Sequence, residues 1–319
     1  MNNLTNKYKT LELETLENIR KSRSTNTSRA YKSDFKDFVI FCNEINKNPI
    51  KPDVKDVSFY LTKLSKENLK FSTIKRRLVS IVVANRLKGY YLDTKNPIIN
   101  DNLKSIKRKI GSIQIGKKPL SLDNLKRIIA SIDYNAKIHK NKKLRDRAVI
   151  LVGFAGGFRR SELVNLDYQD IEFVNEGIKI IIKKSKTDQY GEGFVKAIPY
   201  FANSKFCPVL SIKNWLNESL IKKNSIFRKI SKSGKILQTR LTDQSVALIL
   251  KFHMLNAKLS PENYSGHSLR SGFATATANS GADERNIMAM TGHKSTQMVR
   301  RYIKEANLFK NNALNKIDI

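Results

Sequence analysis

The 319-residue chain holds only two cysteines, Cys42 and Cys207. A pair so sparse and so scattered excludes a disulfide framework and a thiolate zinc site, and both residues read as small hydrophobes. The chain has no apolar run near the ~20 residues that span a bilayer. Its first ten residues, MNNLTNKYKT, lack the apolar core of a secretory signal. A cytoplasmic protein that does not associate with membranes is expected. Internal repeats and low-complexity tracts are missing too. Acidic residues are scarce: 28 Asp and Glu stand against 60 Lys and Arg, a formal net charge of +32.

That charge is not confined to a tail. Residues 1–112 carry 24 basic and 11 acidic side chains, and residues 113–319 carry the other 36 and 17. Both parts attract a polyanion, and nucleic acid is the first candidate, because lysines and arginines on phosphates release condensed counterions. An anionic membrane surface competes poorly, since no basic amphipathic anchor stands out. Association with a ribosome remains open on charge alone. An apolar fraction of 40% is that of a globular chain, and the length suits about two domains.

Apolar residues recur at helical intervals from Asn26 to Asn46, through Tyr31, Phe35, Phe38, Val39, Cys42 and Ile45. Asn26 or Thr27 can cap this helix, and Pro49 and Pro52 end the segment. Further helices are expected over 53–66, over 72–88 with Ile74, Leu78, Ile81 and Val82 on one face, and after Pro97. GSIQIGKKP (111–119) reads as a linker, with two glycines and no helical period. Ser121 then caps a helix to about Ile132, and an apolar helix runs from about Leu144 to Ala155. Residues 171–200, rich in Ile, Val and Phe and broken by Asn-Glu-Gly and Gly-Glu-Gly, predict three antiparallel strands. Helices dominate from Cys207 onward. The expected fold is mainly α with a small antiparallel β-sheet, divided into a helical domain (1–110), the linker (111–119) and a larger domain (120–319).

Six residues of the larger domain carry potential chemistry: Arg159 in GFRRSEL, Lys186 in SKTDQ, His267 and Arg270 in GHSLR, His293 in TGH and Tyr302 in RYIK. They are cations and proton donors with one phenol, and they include no carboxylate cluster or thiol. Such a set suits phosphodiester chemistry without a metal. Attack on phosphorus loads charge onto non-bridging oxygens, which two arginines can clamp in forked geometry. Histidines add directional hydrogen bonds and can shuttle protons, and a lysine on a turn can protonate the leaving oxygen. A phenol, with pKa ~10 in water, becomes a nucleophile where cations stabilise its phenolate. Read singly, each has an ordinary explanation: Arg159 solvates a helix start, Lys186 sits in a polar hairpin, His267 and His293 cap helices, and Tyr302 fills a core.

Their order resembles the tyrosine recombinase, or phage integrase, family, whose active site runs Arg, Lys, His-x-x-Arg, His or Trp, Tyr. SGFATATANSGADERNIMAMTGHKS is similar to the family's small-residue helix, turn and short helix, and NTSRAYKSDFKDFVIFC is similar to the first helix of its core-binding domain. The likeness covers roughly residues 20–308. Two positions depart: Arg160 stands where an aliphatic residue is usual, and Ser271 where a further histidine is common. The resemblance implies a two-domain DNA clamp of the Xer or Cre kind, without an arm-binding domain. It implies site-specific recombination of double-stranded DNA through a 3′-phosphotyrosyl link at Tyr302, with no ATP, metal or other cofactor, by a homotetramer on two paired sites. Accessory or directionality proteins are compatible with it. Lys75, Arg76, Arg77 and Arg160 are the expected DNA contacts. The tail 305–317, with Ala306, Leu308, Phe309, Ala313, Leu314 and Ile317 as its apolar set, is expected to dock on a neighbouring protomer. A type IB topoisomerase, a hairpin telomere resolvase and a non-catalytic DNA-binding relic share enough of this pattern to stay open.

Overall fold

The computed structural model describes residues 24–111, 116–183, 185, 188, 192–202, 204–293, 295–306 and 313–317, with Leu11, Glu14, Thr15, Glu17 and Asn18 upstream. The chain divides into two compact units, Met1–Ile115 and Gly116–Ile319. No described helix is long and apolar enough to cross a membrane.

The first unit is helical: α1 (Thr25–Glu44), α2 (Val54–Lys66), α3 (Phe71–Arg86) and α4 (Pro97–Ile110). Ser24, not Asn26 or Thr27, caps α1, its side-chain oxygen accepting from the Thr27 N–H. Asp53 caps α2 in the same way, and Pro97 sits in the first turn of α4, where its missing N–H costs nothing. Helix α3 begins at Phe71, before the Ser72-Thr73 pair that could have capped it. The core gathers Phe38, Cys42, Tyr60, Leu61, Leu64, Ile74, Ile81 and Ile99, all fully buried. Phe41 joins it, whereas Ile45, expected on the apolar face, is exposed.

The second unit is built on α5 (Leu122–Tyr134, capped by Ser121) and α6 (Lys140–Ala155), whose last eight residues are all buried. Helix α8 (Pro208–Ser219) buries Trp215, which donates Nε1–H to Ile226 O at 2.8 Å. After the short α7 (Arg160–Val164), the expected sheet forms as β1 (Ile171–Val174), β2 (Gly177–Ile182) and β3 (Phe194–Pro199), antiparallel in the order β1-β2-β3. Ile178 pairs with Ile198 and Ile180 with Lys196. A second hairpin, β4 (Arg228–Ile230) with β5 (Ile236–Arg240), interrupts the region expected to be helical. Its strands are short, and their apolar residues Ile230, Ile236 and Leu237 follow no alternation. Helices α9 (Asp243–Asn256), α10 (His267–Asn279), α11 (Glu284–Thr291) and α12 (Thr296–Ala306) follow.

Two features seat α10. Leu120 N–H donates to Ser268 O at 2.9 Å, and Gly272 lies so close that an added Cβ would stand 2.4 Å from Leu120 O. The small residues of this helix therefore serve close approach to backbone. On its other side a satellite core of Ala274, Ala278, Ile287, Val299 and Tyr302 joins α10, α11 and α12. Tyr302 is thus held by packing as well as by its hydroxyl.

Candidate active site

Arg159 precedes α7 at a sharp exit from α6. Gly157, at φ +54°, makes this turn, and a side chain there would meet Phe273 and Thr291. Glu162, buried one turn into α7, accepts from the Arg159 backbone N–H at 2.9 Å through Oε2 and from Arg159 Nη1 at 2.6 Å through Oε1. Arg159 Nη2 donates to Gly292 O at 3.3 Å. The carboxylate fixes the arginine's direction and leaves part of the fork for a ligand.

Arg270, one helical turn after His267 on α10, is 1% exposed. Its Nη1 donates to Gly157 O at 2.9 Å, while Nη2 is buried with no acceptor among the described residues. A buried guanidinium donor left open is costly unless a ligand supplies the acceptor. Burial is the main influence lowering the Arg270 pKa, to about 10, with Arg159 adding to it and Glu162 and Tyr302 opposing.

His267 Nε2 lies 3.2 Å from Tyr302 Oη. Burial, then Arg270, Arg159 and Arg160, lower the His267 pKa below its ordinary value and favour the neutral ring. A neutral imidazole with its lone pair on Nε2 can take the tyrosine proton.

The ring of His293 stands 6.3 Å from that of Tyr302, centroid to centroid. Gly292, at φ +63°, ends α11 and turns His293 inward. Thr291 Oγ1 donates its one proton to Ile287 O at 2.6 Å and therefore accepts from His293 Nδ1–H at 2.7 Å. Burial, then Arg270, Arg159, His267 and Lys196, push the His293 pKa down to about 4.

Five of the six sequence candidates, Arg159, His267, Arg270, His293 and Tyr302, therefore converge at one place in the second unit. Lys186 lies outside the described residues. Between β2 and β3, the Asp188 carboxylate accepts from the Glu192 and Gly193 N–H groups at 3.1 and 2.8 Å. Glu162, Thr291 and the buried Lys196 were not among the candidates. Only Glu162 left a trace, an acidic residue three positions beyond Arg159 at a helix start.

The expected DNA contacts fare unevenly. Lys75 is exposed. Arg76 pairs with Asp34 at 2.7 Å, and Arg77 is engaged by Asp37 and by the Tyr60 hydroxyl, the latter at 3.1 Å. Arg160 lies against Gly266, where a Cβ would stand 2.3 Å from its Cδ, and faces Asp243 at 3.6 Å. In the tail, Leu308 and Phe309 lie outside the described residues, as do the side chains of Ala306 and Ala313, while Leu314 and Ile317 are exposed.

The phage integrase family matches residues 118–308, and the phage integrase N-terminal SAM-like domain matches residues 13–83. An integrase/recombinase XerD homolog of Selenomonas ruminantium is 36% identical over 310 residues, covering 96% of this chain and 89% of its own. Among solved structures, the Tn1549 transposon integrase in complex with transposon right-end DNA is similar with a TM-score of 0.62 at 16% identity, over 93% of this chain and 97% of that one. A lambda integrase tetramer bound to a Holliday junction is similar with a TM-score of 0.58 at 17% identity, over 96% and 79%.

Proposed function

The chain belongs to the phage integrase family of tyrosine recombinases, and on that premise we propose that Tyr302 is the nucleophile of a DNA-cleavage centre completed by Arg159, His267, Arg270, His293 and Lys186. Family membership makes the chain an enzyme of site-specific DNA recombination. The observation that carries the residue assignment is the 3.2 Å approach of His267 Nε2 to Tyr302 Oη, beside an Arg270 Nη2 with no acceptor among the described residues.

In the proposed step Tyr302 Oη attacks the scissile phosphorus as its proton passes to His267 Nε2. The bond from phosphorus to the 5′-oxygen breaks, leaving a 3′-phosphotyrosyl ester and a 5′-hydroxyl, to which Lys186 gives a proton. Arg159 and Arg270 hold the non-bridging oxygens as charge grows on them, and His293 donates through Nε2. A 5′-hydroxyl from the partner duplex then attacks the ester and restores Tyr302. The ester conserves the phosphodiester bond, so strand exchange needs no external energy source.

The helical unit and the catalytic unit are both proposed to bind the duplex, with Lys75 among the backbone contacts. Four protomers on two paired sites would carry recombination. The tetrameric lambda integrase complex supports that assembly by analogy of fold, and the exposed Leu314 and Ile317 suit a tail that docks on a neighbour.

A nicked suicide duplex, analysed on a denaturing gel, tests the reading. Wild-type protein should form a covalent adduct in excess EDTA, and Tyr302→Phe should bind DNA normally and form none. A persistent adduct in the variant would move the nucleophile elsewhere, and cleavage that needs added magnesium would indicate a nuclease.

A further inference from the structure

Lys196 lies on β3, on the inward face with Ile198, and is 1% exposed. Its Nζ donates to Gly156 O at 2.7 Å and to Met290 O. Both acceptors are ends of helices: Gly156 caps the C-terminus of α6, and Met290 lies in the last turn of α11. The final carbonyls of a helix have no partner within it and carry the negative end of its dipole. One buried Nζ therefore serves two helix termini that the chain separates by more than a hundred residues. The faces of Phe158 and Phe194 complete its surroundings, with ring centroids 4.7 and 5.4 Å from Nζ.

The carbonyls just beyond these two ends hold the arginines. Gly157 O, next to Gly156, accepts from Arg270 Nη1. Gly292 O, two residues after Met290, accepts from Arg159 Nη2, and His293 follows directly. We propose that Lys196 is a positioning residue for DNA cleavage, tying the ends of α6 and α11 together so that Arg159, Arg270 and His293 are held as one unit around the scissile phosphate. Without this tie each helix end loses a donor, and the two carbonyl posts that aim the arginines become free to part.

The tie does not depend on the lysine's charge. Burial pushes the ammonium down to about 7, opposed by Glu162 and reinforced by Arg270 and Arg159. A neutral amine still has two N–H donors, enough for two carbonyls. Lys196 is sealed beneath the site rather than open to it, so its role is to position other groups and not to transfer a proton to DNA.

The inference rests on the assignment of Arg159, Arg270, His293 and Tyr302 to cleavage. It is tested on the full-length protein with a nicked suicide duplex in single turnover at saturating DNA. Lys196→Met keeps the bulk and removes both donors. The cleavage rate constant should fall roughly 10²-fold, as expected when reacting groups are misplaced by about an ångström, while DNA affinity stays within about threefold, since many other cations hold the backbone. Lys196→Arg, able again to donate to two carbonyls, should recover most of the rate. A merely structural lysine would lower folding stability without this split between rate and affinity. Circular dichroism confirms folding; should Lys196→Met fail to fold, Lys196→Leu, which also lacks a donor, is assayed by the same criteria. A folded Met or Leu variant that cleaves at the wild-type rate overturns the proposal, as does an Arg variant that is folded yet as slow as the Met variant. Tyr302→Phe and Arg270→Lys run alongside: if they too cleave normally, the site assignment has failed, and if they alone are inactive, only the role of Lys196 has.

Discussion

Arg270 has two tasks, one for each side of its fork. Nη1 holds Gly157 O and Nη2 is left for a ligand, so a lysine in its place can do one or the other. Arg270→Lys is therefore expected to lower the cleavage rate by at least ~10²-fold, comparable with loss of an oxyanion donor, with little change in DNA affinity. Arg159→Lys should behave likewise, since it loses the fork that serves Glu162 and phosphate at once. Equal losses of affinity and rate would make both residues ordinary phosphate anchors. His293 adds a pH signature. Between about pH 4 and 6.5 the unfolded chain holds a proton at this position that the folded site does not. Stability therefore rises with pH across that window, and His293→Gln should flatten the rise in urea titrations. With Nδ1–H committed to Thr291, donation from Nε2 to phosphate requires a second proton. DNA binding at pH 7 should take one up, and calorimetry in buffers of different ionisation enthalpy should find less uptake in the variant.

At the scale of elements, α10 matters most, because it carries His267 and Arg270 and packs against Tyr302. Gly272 lets it press on the Leu120 backbone, and the obstacle to any side chain there is a carbonyl oxygen rather than a movable group. Gly272→Ala should cost about 1–3 kcal/mol of stability by overpacking and should also slow cleavage by displacing the helix. Thermal melts and suicide-substrate rates measure the two effects, and a variant as stable as wild type would show that α10 has room to move. The helices and the three-stranded sheet were legible from periodicity, because burial on one face leaves a repeating pattern in the chain. The hairpin β4–β5 was not: Lys229, Lys235 and Gln238 write no apolar alternation. The core of the site was legible as an ordered set of unusual residues. Lys196 was not, since its value comes from two helix ends meeting around it, and in a chain with 60 basic residues one more lysine carries no signal. The ties of Arg77 are hidden for the same reason, because Asp37 and Tyr60, which engage it, come from other helices.

For the molecule as a whole, the proposed catalytic groups all precede residue 305, so assembly rather than chemistry is where the tail should act. Truncation after Lys304 is expected to leave binding to a single site nearly intact while weakening cooperative assembly on paired sites and recombination. Sedimentation of the complexes and strand-exchange assays decide this, and wild-type tetramers from the truncated protein would remove the tail from assembly. The paired arginines of α3 bear on a different use of the molecule. Retargeting to a new DNA sequence begins with a choice of positions to randomise, and a Lys-Arg-Arg run invites all three. Arg77 is tied to Asp37 and Tyr60, and Arg76 to the buried Asp34, so changes at Arg77 would remove these ties as well as any DNA contact, and stability would be read together with specificity. Diversity placed at Lys75, with Arg77 held constant, would let selection sample recognition instead of stability.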